Sequence, residues 1–390
     1  MRFAFGIFRL LPAGGLERNA LEIARLLLAR GHGIVFHTTA GGETVPTGAG
    51  VVALARQGAT NHGAMKAFSA GFAAAARGFD LTVGFQKLEG LELLYCADWC
   101  FVDRERANWQ RWLPRHRVMA ALERACFATQ SATRIIALAA PQLEAYRRAY
   151  ATPAERTALI PPTLAAGIRA ESPPTTEKKA AFRAKHGIGA EAVVWLWVGL
   201  QPMVKGLDRV LAALAKRADA VLVICGADRD SRQLQRLLGR VDHAGLARRI
   251  RILGMIKDSR GLSDIYAGAD LLTHPARLDV TGSVILEAIV NGLPVIATGN
   301  CGYSPHIAAA DAGIALMGAF DQRAFEGALS ADAERRALWS ANAFAYGRSP
   351  GLFAGLPRAA DLIEAAARKD DAAWRRLSQN GQSLPLRSPA

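Results

Sequence analysis

The sequence predicts an α/β protein built from two doubly wound, Rossmann-like domains facing a central cleft. Three observations carry this. The chain has 390 residues, more than one core ordinarily serves. A strand–helix–strand pattern starts at residue 2 and starts again at residue 193. Between the two series, residues 163–180 are rich in Pro, Ala, Thr and Lys and read as a linker. The expected division is 1–165, 166–345 and a helical tail, 346–390, that packs back on the first domain and ends in disorder. In such sheets ligands bind at the carboxyl ends of the strands, which makes the cleft the default site.

Residues 2–8 (RFAFGIF) are an apolar strand. A Pro/Gly loop, 9–15, leads into a helix over 16–30 in which Leu21, Ala24, Leu27 and Leu28 share one face. Gly31 stops that helix, and 33–38 is the next strand. This βαβ unit lacks the GxGxxG dinucleotide fingerprint. Gly14 and Gly15 either let a ligand approach the backbone or simply make a tight strand-to-helix turn. A helix over 67–77 follows, then a strand over 81–87 running into Lys87 and an apolar segment over 90–100 that passes Asp98. A strand (134–139), a helix (141–150) and a short strand (157–162) ended by Pro161-Pro162 close the first series. The second series has a short helix at 181–188, strands at 193–199, 220–227, 249–254, 270–275 and 293–298, and helices at 207–217, 232–246 and 263–269. The tail is helical from about Ala331.

With 48 basic and 34 acidic residues the net charge is +14, which points to an anionic partner: phosphorylated substrate, membrane surface or nucleic acid. An Arg- and Ala-rich composition also arises by drift in a GC-rich genome. No nucleic-acid motif accompanies the charge, so nucleic acid is not expected as a partner. The five cysteines lie in apolar surroundings and Cys96-x3-Cys100 has no second pair, so a zinc site is not expected. Free thiols fit a reducing cytoplasm. The apolar start fits a buried strand better than a signal peptide, and no stretch reaches the length of a membrane span. A cytoplasmic protein touching a membrane from one side is expected.

Residues 273–303 join the densest polar chemistry to the most apolar order. Asp279 and Glu287 stand eight positions apart around a short loop, 280–283, and an apolar run, 284–286. A helix beginning near Gly282 puts Glu287 in its second turn and aims its free N–H groups back toward Asp279. Such a terminus holds phosphate, and two carboxylates beside it suit sugar hydroxyls because they only accept. A nucleotide sugar fits this pattern; so does an ordinary loop–helix–strand with two solvated acids. Residues 101–127 interleave Arg104, Arg106, Arg111, Arg115, Arg117 and Arg124 with Trp109, Trp112 and Met119. Such a segment either meets an anionic membrane interface or forms a solvated helix pair with its Trp residues packed inward.

Several motifs resemble one known family. They include GGLER (14–18), TNHG (60–63), VGFQKLEGLE (83–92), CAD (96–98), LIPP (159–162), VG-x5-KG-x-DR (198–209), HPA (274–276), G-x-V-x-LEAI-x2-GLPV (282–295) and CGY (301–303). The chain resembles the GT-B glycosyltransferases of family 4, of the lipopolysaccharide core glucosyltransferase I (WaaG-like) type. The resemblance implies a metal- and cofactor-independent, retaining transfer of a hexose, most simply glucose, from a UDP-sugar to a heptose of the lipid A–core. It further implies peripheral association with the cytoplasmic face of the inner membrane through 101–127. Gly14 and Gly15 match the glycine loop beside the donor diphosphate and the acceptor. Lys205, after Val198-Gly199, matches the lysine that neutralises the leaving phosphate. Glu287 matches the ribose-binding second acid of E-x7-E, and Asp279 holds the first acid position, facing the transferred sugar. Gly282, Ser283 and Val284 should hold the distal phosphate by their backbone, and Asp98 occupies the catalytic-loop position. Asn19, His62, Lys87 and Arg169 fall on the acceptor side.

The departures from the pattern cluster at the expected site. Asp279 is one methylene shorter than the usual Glu. Val204 replaces the arginine that precedes the lysine, Asn19 replaces Asp, and Met255, on the donor side, follows Gly254 in place of Arg. They allow a retuned donor or acceptor, or a weakened homologue that binds UDP-sugar or lipid A–core as a scaffold. Asp228-Arg229-Asp230 spells a DxD metal motif but reads as a chance match on a loop. His62 is expected to shape the acceptor loop, and His274 to pack at a strand end beside Pro275.

Overall fold

The computed structural model describes the chain except residues 12–13, 105–107, 165, 228, 240–245, 257 and 380–390. The described chain divides into two units, one comprising Met1–Thr163 with the residues from Phe353 on, the other Leu164–Leu352.

The first unit begins β1 (Arg2–Gly6), α1 (Gly15–Ala29), β2 (Gly33–Thr38), β3 (Gly50–Ala53), α2 (Asn61–Ala75), β4 (Leu81–Gly84) and β5 (Leu93–Cys96). A 3₁₀ turn, Asn108–Trp112, then precedes α3 (Pro114–Phe127), β6 (Arg134–Ala137), α4 (Ala140–Tyr150) and β7 (Thr157–Leu159). Its seven strands are all parallel in the order β3-β2-β1-β4-β5-β6-β7. The apolar face of α1 buries Leu21, Ala24 and Leu27 as its spacing predicts, and Gly31 at φ +82° follows its last turn. α2 starts six residues before the expected 67, because Thr60 accepts a hydrogen bond from the Gly63 amide at 3.1 Å and caps it there. β3 was not anticipated: it is an edge strand whose valines stay exposed, so it lacks the buried alternation that marks a strand in sequence.

The second unit runs α5 (Thr176–Lys185), β8 (Val193–Val198), α6 (Leu207–Ala215), β9 (Ala220–Cys225), α7 (Arg232–Leu238), β10 (Ile250–Gly254), α8 (Ser259–Gly268) and β11 (Leu271–His274). It continues through α9 (Ser283–Val290), β12 (Val295–Thr298), α10 (Pro305–Ala309), β13 (Gly313–Leu316), α11 (Gln322–Ala328) and α12 (Ala333–Tyr346). Six parallel strands lie in the order β10-β9-β8-β11-β12-β13. α5 begins inside the expected linker, where the Thr175 hydroxyl accepts from the Lys178 amide. Trp195 and Trp197 on the central strand are fully buried against Val210, Leu211 and Leu214 of α6.

Two last helices, α13 (Gly355–Ala367) and α14 (Asp371–Gln379), return to the first unit. Leu356, Leu362, Ile363 and Trp374 join Phe3, Phe5, Phe36 and Leu27 in one core. Glu364 accepts from His32 at 2.7 Å, and the Trp374 indole donates to the Glu155 carbonyl at 2.9 Å. Both sheets reverse strand order once, beside β1 in the first unit and beside β8 in the second. The loops leaving the strands at such a reversal diverge and open a crevice.

Candidate active site

In the second unit the reversal lies between β8 and β11, and the loops leaving these strands carry Lys205 and Asp279. The two loops are fastened together. Gly206 caps α6 at φ +72°, and a Cβ there would overlap the Pro275 carbonyl oxygen, so only glycine permits the approach. Arg277 spans both oxygens of Asp208 at 2.8 and 2.7 Å, donates to the Met203 carbonyl at 2.6 Å, and its amide bonds the Val204 carbonyl at 2.8 Å. From below, the Trp197 indole donates to the Lys205 carbonyl at 3.1 Å.

The Lys205 ammonium lies 2.6 Å from Asp279 Oδ2, and His274 Nε2 lies 2.9 Å from the same oxygen. Burial works against ionising Asp279, but the His274 hydrogen bond and the charges of His274 and Lys205 hold its carboxyl well below the usual carboxylate range. Burial likewise opposes a charged His274, and the bond to Asp279 overcomes it, pushing the imidazole up to about 9. Gly282, at φ +68°, opens α9, and no side chain caps that helix. The amides of Ser283 and Val284 are thus oriented for an anion. One turn on, buried Glu287 accepts from the Ser283 hydroxyl at 3.1 Å and the Tyr266 phenol at 2.8 Å. Gly199 and Gly226, just past β8 and β9, and Gly254, the last residue of β10, form a backbone ledge at the carboxyl ends of three neighbouring strands. The Gly199 amide bonds the Cys225 carbonyl at 3.0 Å and the Gly226 amide bonds Gly254 at 2.8 Å. Val198 ends β8 below this ledge, and Met255 stands at its rim, 43% exposed. Arg169 is exposed in the same unit, its charge felt by Arg348.

The first unit holds the other candidates. Gly14 and Gly15 open α1, and the Glu17 carboxylate folds back over Gly14. The Asn19 amide donates to the Tyr95 phenol at 2.9 Å and to Thr163 at 3.3 Å. His62 Nε2 lies 3.3 Å from the Thr60 hydroxyl at the start of α2. Asp98 is exposed just past β5 while its carbonyl receives Gln142 at 2.7 Å and Tyr146 at 3.1 Å. Lys87, expected to be presented to an acceptor, is instead buried. Its ammonium meets fully buried Glu123 at 2.7 Å and the Trp99 carbonyl at 3.2 Å. Glu123 also accepts from the amides of Phe101 (2.7 Å) and Val102 (3.2 Å) and from Tyr150 (2.9 Å). This cluster fixes the loop that displays Asp98.

Along 101–127, Trp109 and Trp112 are 63% and 83% exposed, with Arg111, Arg115 and Arg117 also exposed. The inward packing of these Trp residues is overturned; Arg106 lies outside the described residues. Asp228 of the DxD sequence lies outside them too. Sequence reasoning missed Glu123, although a lone acid at i with Cys126 and Phe127 at i+3 and i+4 marks a buried position. It also missed Arg277 and the bond between His274 and Asp279, which depend on how two distant loops meet.

The model of the family Glycosyl transferases group 1 matches residues 178–340, the segment holding Lys205, Asp279 and Glu287. The Escherichia coli K12 protein named lipopolysaccharide glucosyltransferase WaaG is 30% identical over 376 residues, 93% of this chain and 98% of that protein. The crystal structure of WaaG, described as a glycosyltransferase involved in lipopolysaccharide biosynthesis, superposes with a TM-score of 0.85 over 93% of this chain and 99% of that one, at 30% identity. Sucrose-phosphate synthase from Thermosynechococcus elongatus, at 20% identity and a TM-score of 0.70 over 97% of this chain and 99% of that one, shares the fold. Two Rossmann-like parallel-sheet units, the loop pair at the second sheet's reversal and this full-length kinship together place the chain: it belongs to the group 1 glycosyl transferases of the GT-B fold and, within them, to the WaaG type.

Proposed function

We propose that this glycosyltransferase moves a hexose, glucose in the first instance, from a UDP-sugar to a heptose of the lipopolysaccharide inner core, with retention at the anomeric carbon. The observation that carries the reading is the Lys205–Asp279 pair beside the uncapped start of α9. A departing UDP needs positive charge where its phosphate develops negative charge. Lys205 and the amides of Ser283 and Val284 supply it. Glu287 accepts from the ribose hydroxyls, and Asp279 uses Oδ1 for a hydroxyl of the hexose. Asp98 takes the catalytic-loop role, and Asn19, His62 and Arg169 the acceptor-side roles, that the family pattern gives these positions. Gly15 leaves the start of α1 open to the diphosphate, while Gly14 serves it only once the Glu17 carboxylate folded over it turns away. The acceptor attacks from the face the leaving group vacates, so no protein nucleophile takes part. The reading assigns no resident metal or cofactor.

The E. coli relative's name supports a lipopolysaccharide acceptor, since the kinship spans 98% of that protein. Exposed Trp109, Trp112 and Leu113 beside Arg111, Arg115 and Arg117 support docking on an anionic membrane surface, which for this acceptor is the cytoplasmic face of the inner membrane. Among the described residues no helix is long and apolar enough to cross a membrane. The deciding experiment is a screen of UDP-hexoses against heptosylated lipid A–core acceptors, with product read by mass. Transfer of one hexose supports the proposal. UDP-sugar binding without transfer or hydrolysis replaces it with a binding scaffold.

A further inference from the structure

Two cations meet a single oxygen of Asp279, Lys205 at 2.6 Å and His274 at 2.9 Å, and they are not equivalent. The Lys205 side chain is 23% exposed on a flexible stem in the loop after β8, whereas His274 is 1% exposed on β11. Asp279 has the shortest arm an acid allows, and its backbone is tied down: its carbonyl receives the Gly302 amide at 3.3 Å, and it forms a parallel bridge with Cys301. The carboxylate therefore has no reach to follow Lys205. When Lys205 turns to a diphosphate, a mostly buried carboxylate would be left facing an anion of the same sign.

We propose that His274 is a positioning residue for the transfer: as an imidazolium it retains and neutralises the Asp279 carboxylate, so that Lys205 can exchange from Asp279 to the leaving diphosphate. This rests on the donor reading above. His274 Nδ1 is buried with no hydrogen-bond partner among the described residues and has the Cys301 thiol beside it. The 2.9 Å bond to Asp279 fixes the ring through Nε2, with the Cys301 thiol on its Nδ1 side. The titratable groups facing His274 are Asp279, Lys205 and Cys301. Of these, Asp279 drives its protonation, and Lys205 binds the same oxygen from outside.

The test compares wild type, His274→Gln and His274→Phe as full-length protein, measuring kcat, donor KM and the pH dependence of kcat with the UDP-hexose that the wild type turns over. Expected is a fall in kcat of about ten- to hundredfold in His274→Phe with a smaller change in KM. His274→Gln, which keeps an N–H toward Asp279 without charge, falls between. The wild-type kcat declines on the alkaline side as His274 loses its proton, and both variants lack that limb. If kcat and the alkaline limb survive in His274→Gln while the wild type turns over the donor, the inference fails and the donor reading stands. If the wild type turns over no UDP-hexose, both fail. Should His274→Phe not fold, the Gln variant decides alone.

Discussion

The Lys87–Glu123 pair yields the sharpest prediction, because sequence assigned Lys87 to a surface and structure buries it. Glu123 accepts five donors: the Lys87 ammonium, the Phe101 and Val102 amides, the Tyr150 phenol and, at 3.6 Å, the Cys100 thiol. Burial disfavours a charged Lys87, yet the charges of Asp98 and Glu123 raise its pKa above the ordinary lysine value. Lys87 therefore keeps its charge in the folded protein, 2.7 Å from the Glu123 carboxyl group. Removing one partner of such a pair costs about 3–5 kcal/mol because the other stays buried and charged. Glu123→Leu would also orphan two amides and a phenol at about 1–3 kcal/mol each, enough to consume the stability of an ordinary domain. Glu123→Gln keeps an acceptor for some of these donors and should lose about 3 kcal/mol. Lys87→Met leaves a carboxylate that still has three strong donors, and should lose about 2 kcal/mol. The double variant buries no charge and should be at least ~1.5 kcal/mol more stable than additivity requires. Urea unfolding followed by tryptophan fluorescence measures all four. A loss below ~1 kcal/mol in Glu123→Gln, or strict additivity, would refute the buried-pair argument. An increase in acceptor KM in Lys87→Met with unchanged stability would return Lys87 to the acceptor surface.

Gly206→Ala forces a left-handed residue, costing about 1–2 kcal/mol, and drives a methyl into the Pro275 carbonyl. It should lower the melting temperature and separate Lys205 from Asp279, seen as a kcat loss exceeding the loss of folded protein. Glu287→Ala should abolish donor binding with the fold intact; calorimetry showing undiminished UDP-sugar affinity would remove Glu287 from the site. Raising the His274 pKa from 6.5 to about 9 corresponds to about 3 kcal/mol, shared with Asp279 and counted once. That stabilisation is complete below about pH 6.5 and is lost as pH rises through about 9. The depressed Asp279 value adds a loss only on acidification below its ordinary 3.8. Unfolding free energy should thus decline between pH 6.5 and 9 in the wild type and not in His274→Gln. Replacing Arg111, Arg115 and Arg117 by Glu should weaken sedimentation with phosphatidylglycerol-containing vesicles, each arginine contributing about 1 kcal/mol; unchanged sedimentation would exclude this surface.

What could be read from sequence was what depends on neighbours in the chain. α9 was legible because Gly282, an apolar run and Glu287 follow one another within a turn or two, and the helix begins at Ser283. The β8–α6 unit was legible for the same reason. α2 was misplaced because Asn61-His62-Gly63 looks like a turn until Thr60 is seen capping it. Contacts between distant loops left no local trace. Arg277 carries no distinguishing mark in sequence, yet it bolts the Lys205 loop to the Asp279 loop through Asp208. Lys87 looked presentable because its partner, Glu123, lies 36 residues away inside a segment dominated by arginines.

The electrostatics of the proposed donor site follow from these pairings. Position 204 holds valine where the family pattern has arginine, so the cation count near the leaving phosphate depends on the remaining groups. Arg277 is adjacent, but its charge is matched by Asp208 at 2.7 and 2.8 Å, and the two cancel. Lys205 alone is matched by Asp279, which would leave the cluster neutral. An imidazolium at His274 makes Lys205, Asp279 and His274 together +1, and because His274 is 1% exposed that charge is weakly screened by solvent. A lysine–carboxylate pair without the histidine would release one cation toward the diphosphate only by exposing an anion behind it. With the histidine charged, the lysine's movement changes which anion it meets while the carboxylate stays compensated. The side chain that looked like strand-end packing in sequence is, on this account, what lets a site with a shortened acid and a missing arginine still present net positive charge to a nucleotide.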